Sequence, residues 1–117
     1  MHALIIEDEA VIAMTIEDML LAIGYASAEM AATESEAVAK ALARHPDLIT
    51  ADVCLLEGDG PSAVARIREA LRDDTPPPVV FVTGNPDLAQ GMGDPVIEKP
   101  FTMAELERTI ISLGAHP

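Results

Sequence analysis

Three acids, Glu7, Asp8 and Asp52, one lysine, Lys99, and one hydroxyl, Thr83, are the side chains of this sequence whose types combine into a reaction centre. Carboxylates held together repel one another, so a group of three calls for a cation. A few carboxylates, with the remaining positions filled by water and phosphate, make an all-oxygen ligand set that suits Mg²⁺. A carboxylate can also act as a nucleophile and take up a phosphoryl group as an aspartyl phosphate. The transferring group is anionic, so such a site works mainly by position and placed charge. Mg²⁺ and Lys99 would supply the positive charge, and the Thr83 hydroxyl could donate to a phosphoryl oxygen. Each residue also has a plainer reading. Glu7 and Asp8 could be first-turn acids favouring a helix N-terminus, and Asp52 a turn residue after a strand. Thr83-Gly84 could be strand-to-turn chemistry, and Lys99 a solvated lysine paired with Glu98.

What would bring these residues together is an alternation of strands and helices. Ala3 to Ile6 is a short, continuous apolar run, as a buried parallel strand requires. Val11, Ile12, Thr15, Ile16, Met19, Leu20 and Ile23 then recur at helical spacing, and Gly24 sits where a helix end favours a left-handed residue. Tyr25 to Ala31 reads as a weaker strand. Thr33 with Glu36 forms a capping box, which opens a helix running to about His45, where Pro46 stops it. Leu48 to Ala51 is a third strand ending at Asp52. Gly58 and Gly60 mark a loop, and Ser62 to Leu71 a third helix. After the proline-rich turn from Arg72 to Pro78 comes Val79 to Val82, the most β-branched strand. Pro86 to Gly93 is ambiguous, because Gly91 and Gly93 weaken a helix there. Val96 and Ile97 form a brief fifth strand. Thr102 with Glu105 opens a last helix with Leu106, Ile110 and Leu113 turned inward.

Five β-α units in a row imply a parallel sheet with helices on both faces. The fold class is α/β, a flavodoxin-like (βα)5, doubly wound five-stranded parallel sheet of order 2-1-3-4-5. In that order ligands bind at the carboxyl edge, where the strand order reverses, between the first and third strands. Glu7 and Asp8 end the first strand, Asp52 the third and Thr83 the fourth, and Lys99 follows the fifth. All of them meet at one crevice if that order holds. The expected organisation is a single domain over residues 1–117 with no output domain.

Composition narrows the function classes. The chain has 117 residues, half of them hydrophobic, with aromatics at 3 %. Leu, Ile, Val, Ala and Met must therefore fill the core. The net charge of −13 argues against direct nucleic-acid binding, which needs a basic footprint, and against adhesion to anionic membranes. No apolar run approaches the ~20 residues of a membrane span. Glu7, Asp8 and Glu9 interrupt the only N-terminal stretch that could resemble a signal peptide, so the expected location is cytoplasmic. The lone Cys54 excludes an internal disulfide framework and reads as a small loop residue. His2, His45 and His116 read as surface residues, and the methionines, Met14 and Met19 among them, as core packing.

Four segments carry a family resemblance: Ile5-Ile6-Glu7-Asp8-Glu9, Thr50-Ala51-Asp52, Val82-Thr83-Gly84 and Glu98-Lys99-Pro100-Phe101. Each alone is a weak signal. All four, in order and at the predicted strand ends, resemble the signatures of response-regulator receiver domains over nearly the whole chain. The resemblance implies that Asp52 is the phosphorylated aspartate. It implies Asp8 as a direct Mg²⁺ ligand, Glu7 acting through metal-bound water, and Cys54 offering its backbone carbonyl to the metal. Thr83 matches the switch hydroxyl, and Lys99 the family's invariant lysine, with a cis Lys99-Pro100 bond. Gly84 matches the small residue that leaves room beside the site. The implied partners are a sensor histidine kinase or histidine phosphotransferase and a downstream protein, with the chain a monomer or weak homodimer.

Two departures stand out. Leu56 replaces a proline common four residues after the aspartate, and Val96 replaces the aromatic switch common three residues before the lysine. Phe81-Val82-Thr83-Gly84 resembles the Phe-Ala-Thr-Gly motif of a receiver subgroup without that aromatic. Output would then pass through backbone movement between Asp87 and Asp94. Three functions stay open: a phosphoacceptor that signals by docking or drains phosphate, an aspartyl-phosphate phosphatase, and a receiver-like module that is never phosphorylated. Cys54 counts against the phosphatase, because haloacid-dehalogenase-like enzymes place a second acid there. The intact acid pair, Asp52, Thr83 and Lys99 count against the unphosphorylated module. The expected protein is a signalling domain that catalyses only its own phosphorylation and dephosphorylation.

Overall fold

The computed structural model describes residues 1–89, 91 and 93–117. The chain runs β1 (His2–Ile6), α1 (Ala10–Ile23), β2 (Ser27–Ala31), α2 (Glu34–Ala43), β3 (Leu48–Ala51), α3 (Gly60–Ala70), β4 (Val79–Thr83), a 3-10 turn (Pro86–Ala89), β5 (Val96–Glu98) and α4 (Met103–Ser112). All strand pairings are parallel, and the sheet order is β2-β1-β3-β4-β5. This is the order expected from the β-α alternation.

Strand side chains alternate between two cores. Leu4, Ile6, Ile49, Ala51, Val79 and Phe81 point to one face, where Ala37 and Ala41 of α2 and Ala63, Val64 and Ile67 of α3 cover them. Ala3, Ile5, Leu48, Val80 and Val82 point to the other, under Ala13, Ile16 and Leu20 of α1 and Leu106 and Ile110 of α4. β1, β3 and β4 are buried along their whole length, as a sheet covered on both faces requires.

The caps explain where the helices start. Thr33 accepts from the Glu36 amide and Thr102 from the Glu105 amide, each at 3.2 Å. α1 ends at Gly24, whose φ of 128° lies in the region that favours glycine. α3 starts two residues before the expected Ser62, because Asp59 accepts from the Ser62 amide at 2.7 Å and so acts as the cap. α2 ends at Ala43, short of His45.

Some expectations are corrected. The fifth expected helix is α4, because the fourth β-α unit holds only a 3-10 turn among the described residues. Pro86, and Gly91 and Gly93 at φ 82° and 85°, do not support a longer helix. Gln90 and Met92, within the ambiguous Pro86–Gly93 stretch, lie outside the described residues. β2 starts at Ser27 rather than Tyr25, and Tyr25 instead buries its ring and donates its hydroxyl to the Ala115 carbonyl at 2.6 Å. His2 is buried, not on the surface. Its ring lies 2.8 Å from Ser27 Oγ and 3.2 Å from Glu29 Oε2, which satisfies both nitrogens under cover of β2. Met14 is exposed rather than packed, and so is Val11, because both fall on the outer side of α1. Met19 does pack against the core beneath α1, while Leu113 is only half-buried there.

Candidate functional site

Three backbone hydrogen bonds continue the sheet past its strand ends and fix the site. The Glu7 amide donates to the Ala31 carbonyl, the Asp52 amide to Ile6 and the Lys99 amide to Thr83, each at 2.9 Å. These bonds hold the residues after β1, β3 and β5 at one edge. Glu7, Asp8 and Asp52 each bring a carboxylate oxygen within 4.8 Å of the others. Glu7 is buried, and Asp8 and Asp52 are half-buried.

Lys99 spans this group, its ammonium donating to Glu7 Oε1 at 2.5 Å and to Asp52 Oδ2 at 3.1 Å. The plainer pairing of Lys99 with Glu98 is therefore not the one formed. Burial pushes the Glu7 carboxyl above its usual range, against the lowering pull of Lys99 and the Glu9 amide. Burial also works against the charge on Lys99, but hydrogen bonds and attraction from Glu7 and Asp52 outweigh it and hold the ammonium above its ordinary value. The Lys99-Pro100 peptide is cis.

An open cavity of about 410 Å³ lies against this edge, lined by Asp8, Asp52, Cys54, Gly84, Asn85 and Lys99 among others. A Cβ added to Gly84 would meet no atom within 4 Å, so the glycine leaves its side of the cavity clear. Glu7 and Thr83 lie under the cavity rather than on its wall. The Thr83 hydroxyl oxygen accepts from the Asn85 amide at 3.0 Å, which leaves its proton to donate elsewhere. Cys54 sits at the rim with its side chain exposed. Carboxylate oxygens this close, beside a water-accessible cavity, fit a hard cation such as Mg²⁺.

The family model of the response regulator receiver domain matches residues 3–111. The chain belongs to this family. The receiver is 36 % identical over 112 residues to the phyllosphere-induced regulator PhyR of Methylorubrum extorquens, covering 92 % of this chain and 41 % of that protein. Among solved structures it resembles the PhyR receiver domain of Erythrobacter litoralis, with 33 % identity, a TM-score of 0.77 and coverage of 95 % of this chain and 87 % of that one. The CheY-like receiver domain of Methylobacillus flagellatus superposes with a TM-score of 0.84 at 27 % identity, covering 96 % and 97 % of the two chains. The receiver spans less than half the length of the curated relatives it matches. No helix among the described residues is long and apolar enough to cross a membrane.

The site also depends on Gly60, expected as a loop glycine and found as the first residue of α3 behind its cap Asp59. A Cβ on Gly60 would fall 1.8 Å from the Asp52 carbonyl oxygen, and the Gly60 amide donates to Val53 at 3.0 Å. Only glycine permits that approach, and it folds the chain back under Asp52. Asp59 followed by Ser62 could have signalled this turn, since Asp is a preferred helix cap.

Proposed function

We propose that this receiver accepts a phosphoryl group from a phosphohistidine donor onto Asp52 and signals by docking to another protein. A carboxylate oxygen of Asp52 forms a bond to phosphorus while the phosphorus–nitrogen bond of the donor breaks, and the imidazole leaves with the bonding pair. Glu7, Asp8, Asp52 and the Cys54 carbonyl would hold Mg²⁺, with Glu7 acting through a bound water. The cation supplies positive charge to the transferring group. Lys99, bound to Glu7 and Asp52, would supply further charge and keeps the buried Glu7 compensated. Thr83 donates its free proton to a phosphoryl oxygen, and Gly84 leaves the room that group needs.

The observation that carries this reading is the clustering of Glu7, Asp8 and Asp52 with Lys99, with Asp8, Asp52 and Lys99 lining one open cavity. The output has no aromatic at Val96 to relay it. Thr83, turning toward a phosphoryl group, would instead release the Asn85 amide and shift the backbone that follows β4.

The test is incubation with Mg²⁺ and acetyl phosphate, followed by mass spectrometry. One phosphoryl group should add to the chain, and Asp52→Asn should abolish the gain with the fold retained. No gain, with acetyl phosphate or with candidate kinases, would leave a receiver-like docking module. Rapid multiple turnover of phosphate esters would make the protein a phosphatase instead.

A further inference from the structure

We propose that Glu34 is a positioning residue for the phosphoacceptor site, holding through Asp59 the segment that carries the Cys54 carbonyl beside Asp52. The inference rests on the reading of Cys54 as part of that site. Glu34 is the first residue of α2, where backbone amides lack partners within the helix. Its amide donates to the Glu57 carbonyl at 3.2 Å. Its side chain turns back over the same loop: Oε1 accepts from the Asp59 amide at 3.4 Å, and Oε2 accepts from Arg66 of α3 at 3.0 Å. One residue thereby ties together α2, α3 and the loop between Asp52 and Gly60.

Two features make this contact specific. Gly58 has a φ of 81°, and a Cβ there would fall 2.5 Å from the Glu34 Cβ. The absence of a side chain at Gly58 is what lets the loop lie against Glu34. Leu56, at the middle of the loop, is 86 % exposed, so packing gives that point little hold.

The hold reaches the site through backbone pairing. Asp59 and Cys54 form an isolated antiparallel bridge. Fixing the Asp59 amide on Glu34 therefore fixes the strand-like turn on which Cys54 lies, and Cys54 lines the cavity beside Asp52. Asp59 is held from its other side as the cap of α3, with Ser62 Oγ donating to its Oδ2 at 3.0 Å. A carboxylate at residue 34 is suited to this task because it accepts from Asp59 and from Arg66 on separate oxygens. A glutamine has one acceptor oxygen and can serve only one of them.

The test is an NMR titration of the full chain with Mg²⁺, read at the amides of Asp52 and Cys54, together with amide exchange over residues 53–60. Glu34→Ala should speed exchange at Asp59 and weaken Mg²⁺ about threefold to tenfold, below or near the low end of losses typical for groups that orient ligands directly. Glu34→Gln should recover part of both effects, and Arg66→Ala should give the smallest loss. If Glu34→Ala does not fold, the Gln and Arg66 variants carry the comparison. Mg²⁺ affinity within about twofold of the parent in all variants that fold would overturn the proposal while leaving the phosphoacceptor reading intact. A parent chain that binds no Mg²⁺ would overturn both.

Discussion

Replacing Lys99 by methionine should destabilise the receiver by an amount that depends on pH. The methionine keeps the apolar stem in the groove that Lys99 shares with Ile12, Ile16 and Phe101, so the change isolates the ammonium. Without it, the Glu7 carboxyl, whose side chain is 1 % exposed, loses its ion-pair partner. Removing one member of a buried pair costs about 3–5 kcal/mol when the other must stay charged. Glu7 has a cheaper escape, which is to bind a proton. From its ordinary value of 4.5, neutralisation at about pH 7 costs roughly 1.4 kcal/mol for each of about 2.5 units, on the order of 3–4 kcal/mol. That figure is the ceiling on the loss that Glu7 can cause. Glu7 has a folded value above its unfolded one. Its contribution is fully present below 4.5 and is lost as pH rises through the folded value. In the variant that value is higher still, because the lowering pull of Lys99 is gone. The gap between parent and variant should therefore open upward from pH 4.5 and close again as pH falls. Urea unfolding of both chains at about pH 5, 6 and 7, without divalent cations, measures it. A gap that does not change over this range would refute the argument, since lost packing has no such slope.

Further predictions address the scaffold. Tyr25, the only tyrosine in a chain without tryptophan, has its hydroxyl pushed by burial, and by Asp47, from 10.0 up to about 12. Its contribution is whole below pH 10 and lost as pH rises toward 12, by about 3 kcal/mol in all. Tyrosinate absorbance should therefore titrate near 12, and Tyr25→Phe should remove the alkaline loss; a folded chain titrating near 10 contradicts this. Gly60→Ala should cost more than about 2 kcal/mol by denaturant unfolding, because the Cβ meets the Asp52 carbonyl and one of the two must move; a cost under about 0.5 kcal/mol would show that the turn yields freely. Arg68→Ala breaks a two-bond pair with Asp94, at 2.6 and 3.1 Å. Arg68 is partly exposed, so the stability loss should stay under about 1 kcal/mol, but amide exchange between Asp87 and Asp94 should rise, and unchanged exchange there would show that the pair does not hold the segment.

Much of the fold was legible because it follows from periodicity. The apolar runs of β1, β3 and β4 mark buried strands, the helical spacing of α1 marks its inner face, and β-α alternation leaves few sheet orders. The placement of the candidate site was legible for the same reason, since Glu7, Asp8, Asp52, Thr83 and Lys99 all stand at or just past strand ends. What escaped depended on contacts between segments distant in sequence. His2 looks like a polar terminal residue until β2 supplies Ser27 and Glu29 to its ring. Met14 looks like core until the rotation of α1 places it outward. Glu34 looks like a first-turn acid of α2, and nothing local shows that Asp59 and Arg66, 25 and 32 residues on, share its carboxylate.

The segment after β4 is where the proposed signal must leave, and its anchors suggest how far a change at the site could travel. Thr83 is held on its backbone by Lys99 and on its side chain by Asn85. A hydroxyl that turns to a phosphoryl group gives up the second bond but not the first. The strand would stay in register, and the released amide would belong to the residue just before the 3-10 turn at Pro86. At the far end, Arg68 holds Asp94 to α3 with two bonds. Between these anchors the described residues form a short 3-10 turn, Pro86–Ala89, in place of a full helix, and short turns open more readily than packed helices. On the proposed reading, movement released at Asn85 would be bounded by the Arg68–Asp94 pair. A partner that reads the phosphorylated state should contact that stretch, because β4, which precedes it, is buried along its whole length and offers no surface to dock on.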